Sequence, residues 1–237
     1  MILNVSHLYK TYTRRGKEFN AVDDVDFFAW SGDFSVIFGE SGSGKSTLLS
    51  LLSGINRPTQ GSIVFNGADF ANLTDAELSI LRNEKIGYIP QEAVFLPHFT
   101  VLENILLPRA IQRGKKIEVR DLSDSVDVEI ISKLETLGIA HLVNEMPAEL
   151  SGGELKRASI VRALVNNPDV VIADEPTSNL DETNGKKVFD LLAELSHSGT
   201  SVIVATHDAR GIKYGDRLYT MHKGKLLPNS DSDYGGL

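Results

Sequence analysis

Gly39-Glu40-Ser41-Gly42-Ser43-Gly44-Lys45-Ser46-Thr47 decides how this chain is read. The spacing is a complete G-x-x-x-x-G-K-[ST] phosphate-binding loop, the Walker A pattern. Its glycines let backbone N–H groups turn inward around phosphate oxygens. Lys45 brings a point charge for β- and γ-phosphates, and the Ser46 hydroxyl suits magnesium. Composition alone would also fit a flexible linker, since Ser41-Gly42-Ser43-Gly44 has linker character. The flanks oppose that. Phe34-Ser35-Val36-Ile37-Phe38 reads as a strand, and residues 45–53 read as a helix stopped at Gly54. A strand, a glycine loop and a helix in that order aim loop amides and a helix dipole at one anion.

Composition bounds the rest. The chain has 237 residues and 41% hydrophobic content, enough for a sizeable core. Its formal net charge of −8 weighs against nonspecific nucleic-acid binding, which needs a basic face. With no cysteine, disulfides and cysteine metal sites are excluded, and a reducing compartment suits it. Met1-Ile2-Leu3-Asn4-Val5 is not a basic region followed by an apolar core, so no signal peptide is expected. No apolar run approaches the ~20 residues of a membrane span. The expectation is a soluble chain, with a membrane partner left open.

Working outward, residues 2–38 carry short alternating runs. Arg14-Arg15-Gly16-Lys17 reads as a hairpin tip and Trp30-Ser31-Gly32-Asp33 as a second turn. An antiparallel sheet leading into the loop strand follows, and residues 61–67 add a strand ending in an Asn66-Gly67 turn. From about Gln91 to Leu150 the pattern turns helical. Thr100-Val101-Leu102-Glu103 is a capping box, and residues 126–137 form an amphipathic helix ending near Gly138. Val170-Val171-Ile172-Ala173 and Ser201-Val202-Ile203-Val204-Ala205 read as buried parallel strands, with residues 189–195 helical between them. The tail, residues 229–237, is polar. Arg113, Lys115, Lys116 and Arg120 form a basic cluster that reads first as a solvated face.

Two further stretches carry chemistry. Residues 168–175 are a buried strand ending in Asp174-Glu175, and ligands of parallel α/β sheets sit at such ends. Alone, this is often a solvated turn; beneath an upstream phosphate loop it reads as Walker B. Leu150-Ser151-Gly152-Gly153-Glu154 precedes a helical run, residues 155–166. Ser151 and Glu154 form an S-x-x-E capping box, but the two glycines are costly for capping alone and would let bare amides approach a phosphate. His207, after the strand at 201–206, says nothing by itself.

In order, Walker A, Gln91, Leu-Ser-Gly-Gly, Walker B, Ser178-Asn179-Leu180-Asp181 and Thr206-His207 resemble the ATP-binding subunit of an ABC transporter over residues 1–226. The resemblance implies an α/β P-loop NTPase fold with a RecA-like core, an antiparallel β-subdomain and an inserted α-helical subdomain. It implies one ATP-binding domain over residues 1–228, with residues 92–150 as the helical subdomain and 229–237 as a tail. By resemblance, Tyr12 stacks on adenine, and Gly39, Glu40, Ser41, Gly42, Ser43, Gly44, Lys45, Ser46 and Thr47 bind phosphates. Ser46, Gln91 and Asp174 match the magnesium ligands, and Glu175 matches the general base. His207 matches the residue contacting the γ-phosphate. Ser151, Gly152, Gly153 and Glu154 match the signature that meets ATP across a dimer, and Asp181 the loop that communicates across it. ATP and Mg2+ are the implied cofactors. The implied partners are an integral membrane permease and a second copy of the chain, with no nucleic acid. The implied location is the cytoplasmic face of the membrane.

One departure stands out: Glu154 replaces the family's usual Gln, placing a carboxylate near phosphates. Residues 99–108 resemble the subclass of lipoprotein-releasing, macrolide-exporting and antimicrobial-peptide-resistance ATPases. A soluble ABC ATPase of the iron–sulfur assembly type is an alternative, as is a nucleotide-gated cell-division or regulatory module. The wording of residues 175–181 favours a transporter subunit, and all catalytic positions are filled.

Overall fold

The computed structural model describes residues 1–112 and 126–229. The basic cluster at 113–120 and the tail beyond Asn229 lie outside them. Two long strands, β1 (Leu3–Arg14) and β2 (Lys17–Ala29), form the expected hairpin, and Arg15 and Gly16 at its tip both adopt positive φ. The short alternating runs of the sequence are thus two continuous strands. Their breaks in pattern are register shifts at residues 5–11. β4 (Gln60–Phe65) pairs antiparallel with β1 and turns through Asn66 and Gly67 into the short β5 (Ala68–Asp69).

The second sheet has six strands, ordered β10-β9-β3-β8-β7-β6. β3 (Phe34–Phe38), β6 (Ile86–Ile89), β7 (Val170–Asp174), β8 (Ser201–Ala205) and β9 (Arg217–His222) run parallel, and β10 (Lys225–Pro228) closes the edge antiparallel. The α/β P-loop NTPase fold read from the sequence is the fold observed.

Strand periodicity divides the core in two. On one face of the sheet Val36, Val171, Ala173, Val202 and Val204 pack against α3 (Val101–Gln112), α5 (Gly152–Leu164) and α6 (Glu182–His197). On the other, Ile37, Ile172, Ile203 and Ala205 meet α1 (Lys45–Leu52) and the antiparallel sheet. The central strands are buried on both faces, so they read as unbroken apolar runs.

Elements missing from the sequence reading include α2 (Asp75–Lys85), the short β5, β6, β9 and β10. Three helices shift. The amphipathic stretch is α4 (Val128–Thr136), capped by Asp127. α6 begins at Glu182, well before residue 189, on the side-chain cap of Asp181. α5 begins at Gly152 rather than Leu155, so both signature glycines lie inside its first turn.

The segment between β6 and α3 is held by Asn104, which is 1% exposed. Its amide donates to the carbonyls of Leu96, Phe99 and Thr100, and its Oδ1 accepts from Leu96 N–H at 2.7 Å.

Candidate functional site

The loop after β3 is shaped from outside. Gly44 has φ 112°, and a Cβ there would overlap the Ala21 carbonyl oxygen; one on Gly39 would overlap that of Met221. The turn between β9 and β10 grips the loop, since Gly224 N–H donates to Ser43 O at 2.8 Å. Lys45 opens α1 and is 7% exposed. Its Nζ donates to Gly39 O at 2.6 Å and Glu40 O at 3.1 Å, which holds the ammonium under the loop crest.

Above this loop lies a cleft of about 900 Å3. Residues 40–47, Tyr12, Gln91, Asp174, Glu175 and His207 all line it. Residues about 160 positions apart meet there because β3, β7 and β8 are adjacent and parallel, so their C-terminal ends open on one side.

Asp174, the last residue of β7, is 2% exposed. Burial raises its carboxyl pKa above the usual aspartate range, and the neighbouring Glu175 adds to this. A hydrogen bond from Ser46 and the charges of Lys156 and Lys45 oppose it. Its Oδ1 has no hydrogen-bond partner. A buried carboxylate oxygen left open beside a hydroxyl suits a hard divalent cation, which takes few protein ligands and keeps water. Among the described residues no group of three or more His, Asp or Glu side chains could hold a metal, so any ion here would draw most of its ligands from substrate and solvent.

Glu175 is 7% exposed and takes φ 47°, an uncommon conformation for a side-chain-bearing residue. The turn aims its carboxylate at the end of β8. Oε2 accepts from the Thr206 hydroxyl at 3.1 Å and His207 N–H at 3.4 Å, and Oε1 lies 2.9 Å from His207 Nδ1. Thr177 and Arg210 meet at Asp208, fixing the neighbouring turn.

Ser151, Gly152, Gly153, Glu154 and Asp181 do not line this cleft. Glu154 Oε2 accepts from Ser151 N–H at 2.8 Å and Ser151 Oγ at 2.7 Å, while Glu154 N–H returns to Ser151 Oγ at 3.3 Å. The Ser151 hydroxyl and amide hold the Glu154 carboxyl below its usual pKa. Its charge therefore closes the helix cap. Gly152 is exposed, and a Cβ there would meet nothing within 4 Å. Nothing inside the chain requires a glycine at that helical position, where Gly costs about 1 kcal/mol relative to Ala. Asp181 caps α6, accepting from Asn184 N–H at 2.8 Å.

Phe19, Asn20, Ala21, Lys223 and Gly224 also line the cleft and were absent from the sequence reading. Phe19 was within reach of it. The hairpin register pairs Tyr12 with Phe19, and their ring centroids lie 6.0 Å apart.

The ABC transporter family model matches residues 22–178. Among solved structures, the ATP-binding cassette MJ0796 is similar in a dimeric, post-hydrolysis state bound to ADP and Pi. It is 31% identical over 95% of this chain and 96% of that one, with TM-score 0.87. A second dimeric structure of MJ0796, described as a bacterial ABC transporter cassette, gives the same values. An ATP-binding subunit of an ABC transporter is 25% identical over 98% of this chain and 91% of its own, with TM-score 0.81.

Proposed function

Because the chain belongs to the ABC transporter family, we propose that it is the ATP-hydrolysing motor subunit of a transporter, working as a pair closed around two ATP molecules. The observation that carries this is the convergence of Lys45, Ser46, Gln91, Asp174, Glu175 and His207 on one cleft that the signature residues do not line. A site that lacks its signature is completed by the Ser151-Gly152-Gly153 turn of a second copy, whose bare Gly152 leaves room for a phosphate.

Within the cleft, Tyr12 stacks on the base and the amides of residues 39–47 surround the phosphates. Lys45 turns from its own loop carbonyls toward the β- and γ-phosphates. Ser46, Asp174 and Gln91 would hold Mg2+, which would neutralise phosphate charge. A carboxylate oxygen of Glu175 accepts the proton of the attacking water as its oxygen bonds to the γ-phosphorus. The bond to the β-phosphate oxygen breaks, leaving ADP and inorganic phosphate. His207 steadies Glu175 and lies where it can reach the γ-phosphate. Asp181 carries the nucleotide state between subunits through the start of α6.

Among the described residues no helix is long and apolar enough to cross a membrane. The partner proposed for translocation is an integral membrane permease. Its docking surface includes Val94 and Leu96, which leave apolar side chains exposed just after Gln91. The chain then works peripherally on the cytoplasmic face. The wording of residues 99–108 supports the lipoprotein-release, macrolide-export and peptide-resistance subclass.

The test is Glu175→Gln with Mg-ATP. Hydrolysis should fall at least a hundredfold while a dimer accumulates on sedimentation. Wild-type turnover in the variant, or a monomer at saturating ATP, rejects the reading.

A further inference from the structure

Lys156 lies on α5 one helical turn beyond the signature and is 2% exposed. A buried ammonium is costly unless its donors are satisfied. Three carbonyl oxygens accept from its Nζ: Pro90 and Gln91 at 2.8 Å each, and Asp174 at 3.4 Å. Burial lowers its pKa to about 8, against the pull of Asp174 and Glu175. Farther along the same helix, Arg162 donates to Val94 O at 2.6 Å and sits 4.6 Å from the Phe95 ring centroid. Among the described residues, no backbone hydrogen bond ties residues 91–95 to a neighbouring element. The backbone of the stretch is therefore held from α5 by two cations, one at each end, and the Phe95 ring packs against the core.

We propose that Lys156 is a positioning residue for Gln91: by gripping the Pro90 and Gln91 carbonyls it sets where the Gln91 side chain enters the cleft. A displacement of the signature end of α5 is then transmitted to the same chain's own magnesium-facing glutamine. In the closed pair the signature turn meets the partner's nucleotide while Lys156, one turn on, grips a segment of its own chain's site, so Lys156 couples one site to the other. The role rests on the ATPase reading above, but the anchoring is a property of the chain alone.

The absence of cysteine makes the test clean. A spin label on Glu92→Cys, an exposed position between the two anchors, reports on this segment in the full chain. Lys156→Met removes the ammonium and keeps the apolar stem. The expected result is a label that becomes mobile and no longer responds to Mg-ATP. Alongside it, kcat should fall at least tenfold with KM for ATP changed less than twofold. Adding Gln91→Ala to Lys156→Met should cost little more, since both act through one group. A folded Lys156→Met protein with an ordered label, or with wild-type kcat, overturns the proposal. If Lys156→Met does not fold, Arg162→Met carries the test, and an ordered label there rejects anchoring from α5. If the wild-type chain does not hydrolyse ATP, the functional reading fails, and the label still decides the role of Lys156.

Discussion

The Glu175 carboxylate lies 2.9 Å from His207 Nδ1, and the two residues share no secondary-structure element: one follows β7, the other follows β8. The pair is joined because those strands are neighbours in the sheet. His207 is exposed while Glu175 is buried, so the histidine can face a ligand while it holds the carboxylate. His207→Ala should therefore leave ATP binding near wild type and lower single-turnover hydrolysis by about 10²-fold or more. In the double variant with Glu175→Gln the loss should be far from additive, because the two act as a unit.

Asp174 is a destabilising group until something pairs with it. A carboxyl whose pKa is raised on folding stays protonated in the native state after the unfolded chain has released its proton. Stability is then lost as pH rises from the ordinary aspartate range through the raised value, and the full penalty stands above it. Asp174→Asn should raise the magnesium-free melting temperature at neutral pH by a few degrees. It should also abolish stabilisation by Mg-ATP relative to ATP alone. Calorimetry with and without the ion checks both.

Glu154→Gln tests the departure in the signature. Gln can still accept from Ser151, so the start of α5 should survive and the melting temperature should move little. On the proposed pairing, in which this turn meets a second subunit's nucleotide, removing its negative charge should strengthen ATP-dependent association several-fold, measured by sedimentation of the Glu175→Gln background.

Tyr12→Ala should raise KM for ATP about tenfold with kcat little changed, as expected for a base resting on an aromatic face. Phe19→Ala should show a weaker effect of the same kind, since its ring flanks that of Tyr12. Steady-state kinetics distinguishes the two.

Asn104→Ala removes one side chain that satisfies four backbone groups, and should cost ~3 kcal/mol in urea unfolding. The measurement separates a packing role for this residue from a functional one.

How legible each part was follows from what surrounds it. β3 and β8 were read to their end residues because both faces are buried and the run is unbroken. α2 was not read: Leu78 is its only buried residue, although Thr74-Asp75-Ala76-Glu77 is a full capping box written in the sequence. α6 was read seven residues short because Glu182-Thr183-Asn184-Gly185-Lys186-Lys187 is polar and only the Asp181 cap marks its start. In the site, ordered motifs gave away the phosphate loop and the two carboxylates. Lys156 stayed hidden because a lysine beside Arg157 looks like a solvated face. Its burial depends on where β6 ends, which no local pattern records.

The grip of Gly224 on the Ser43 carbonyl, with Ala21 and Met221 crowding Gly44 and Gly39, makes the loop a cast object rather than a flexible one. The mould comes from the two extremes of the folded chain, the N-terminal hairpin and the last two strands. A nucleotide then meets a loop already set in shape, and little affinity is lost to ordering it. Phosphate affinity thus comes to depend on residues outside the phosphate loop itself. Changes at Met221, outside the cleft lining, should register as weaker binding before they register as unfolding.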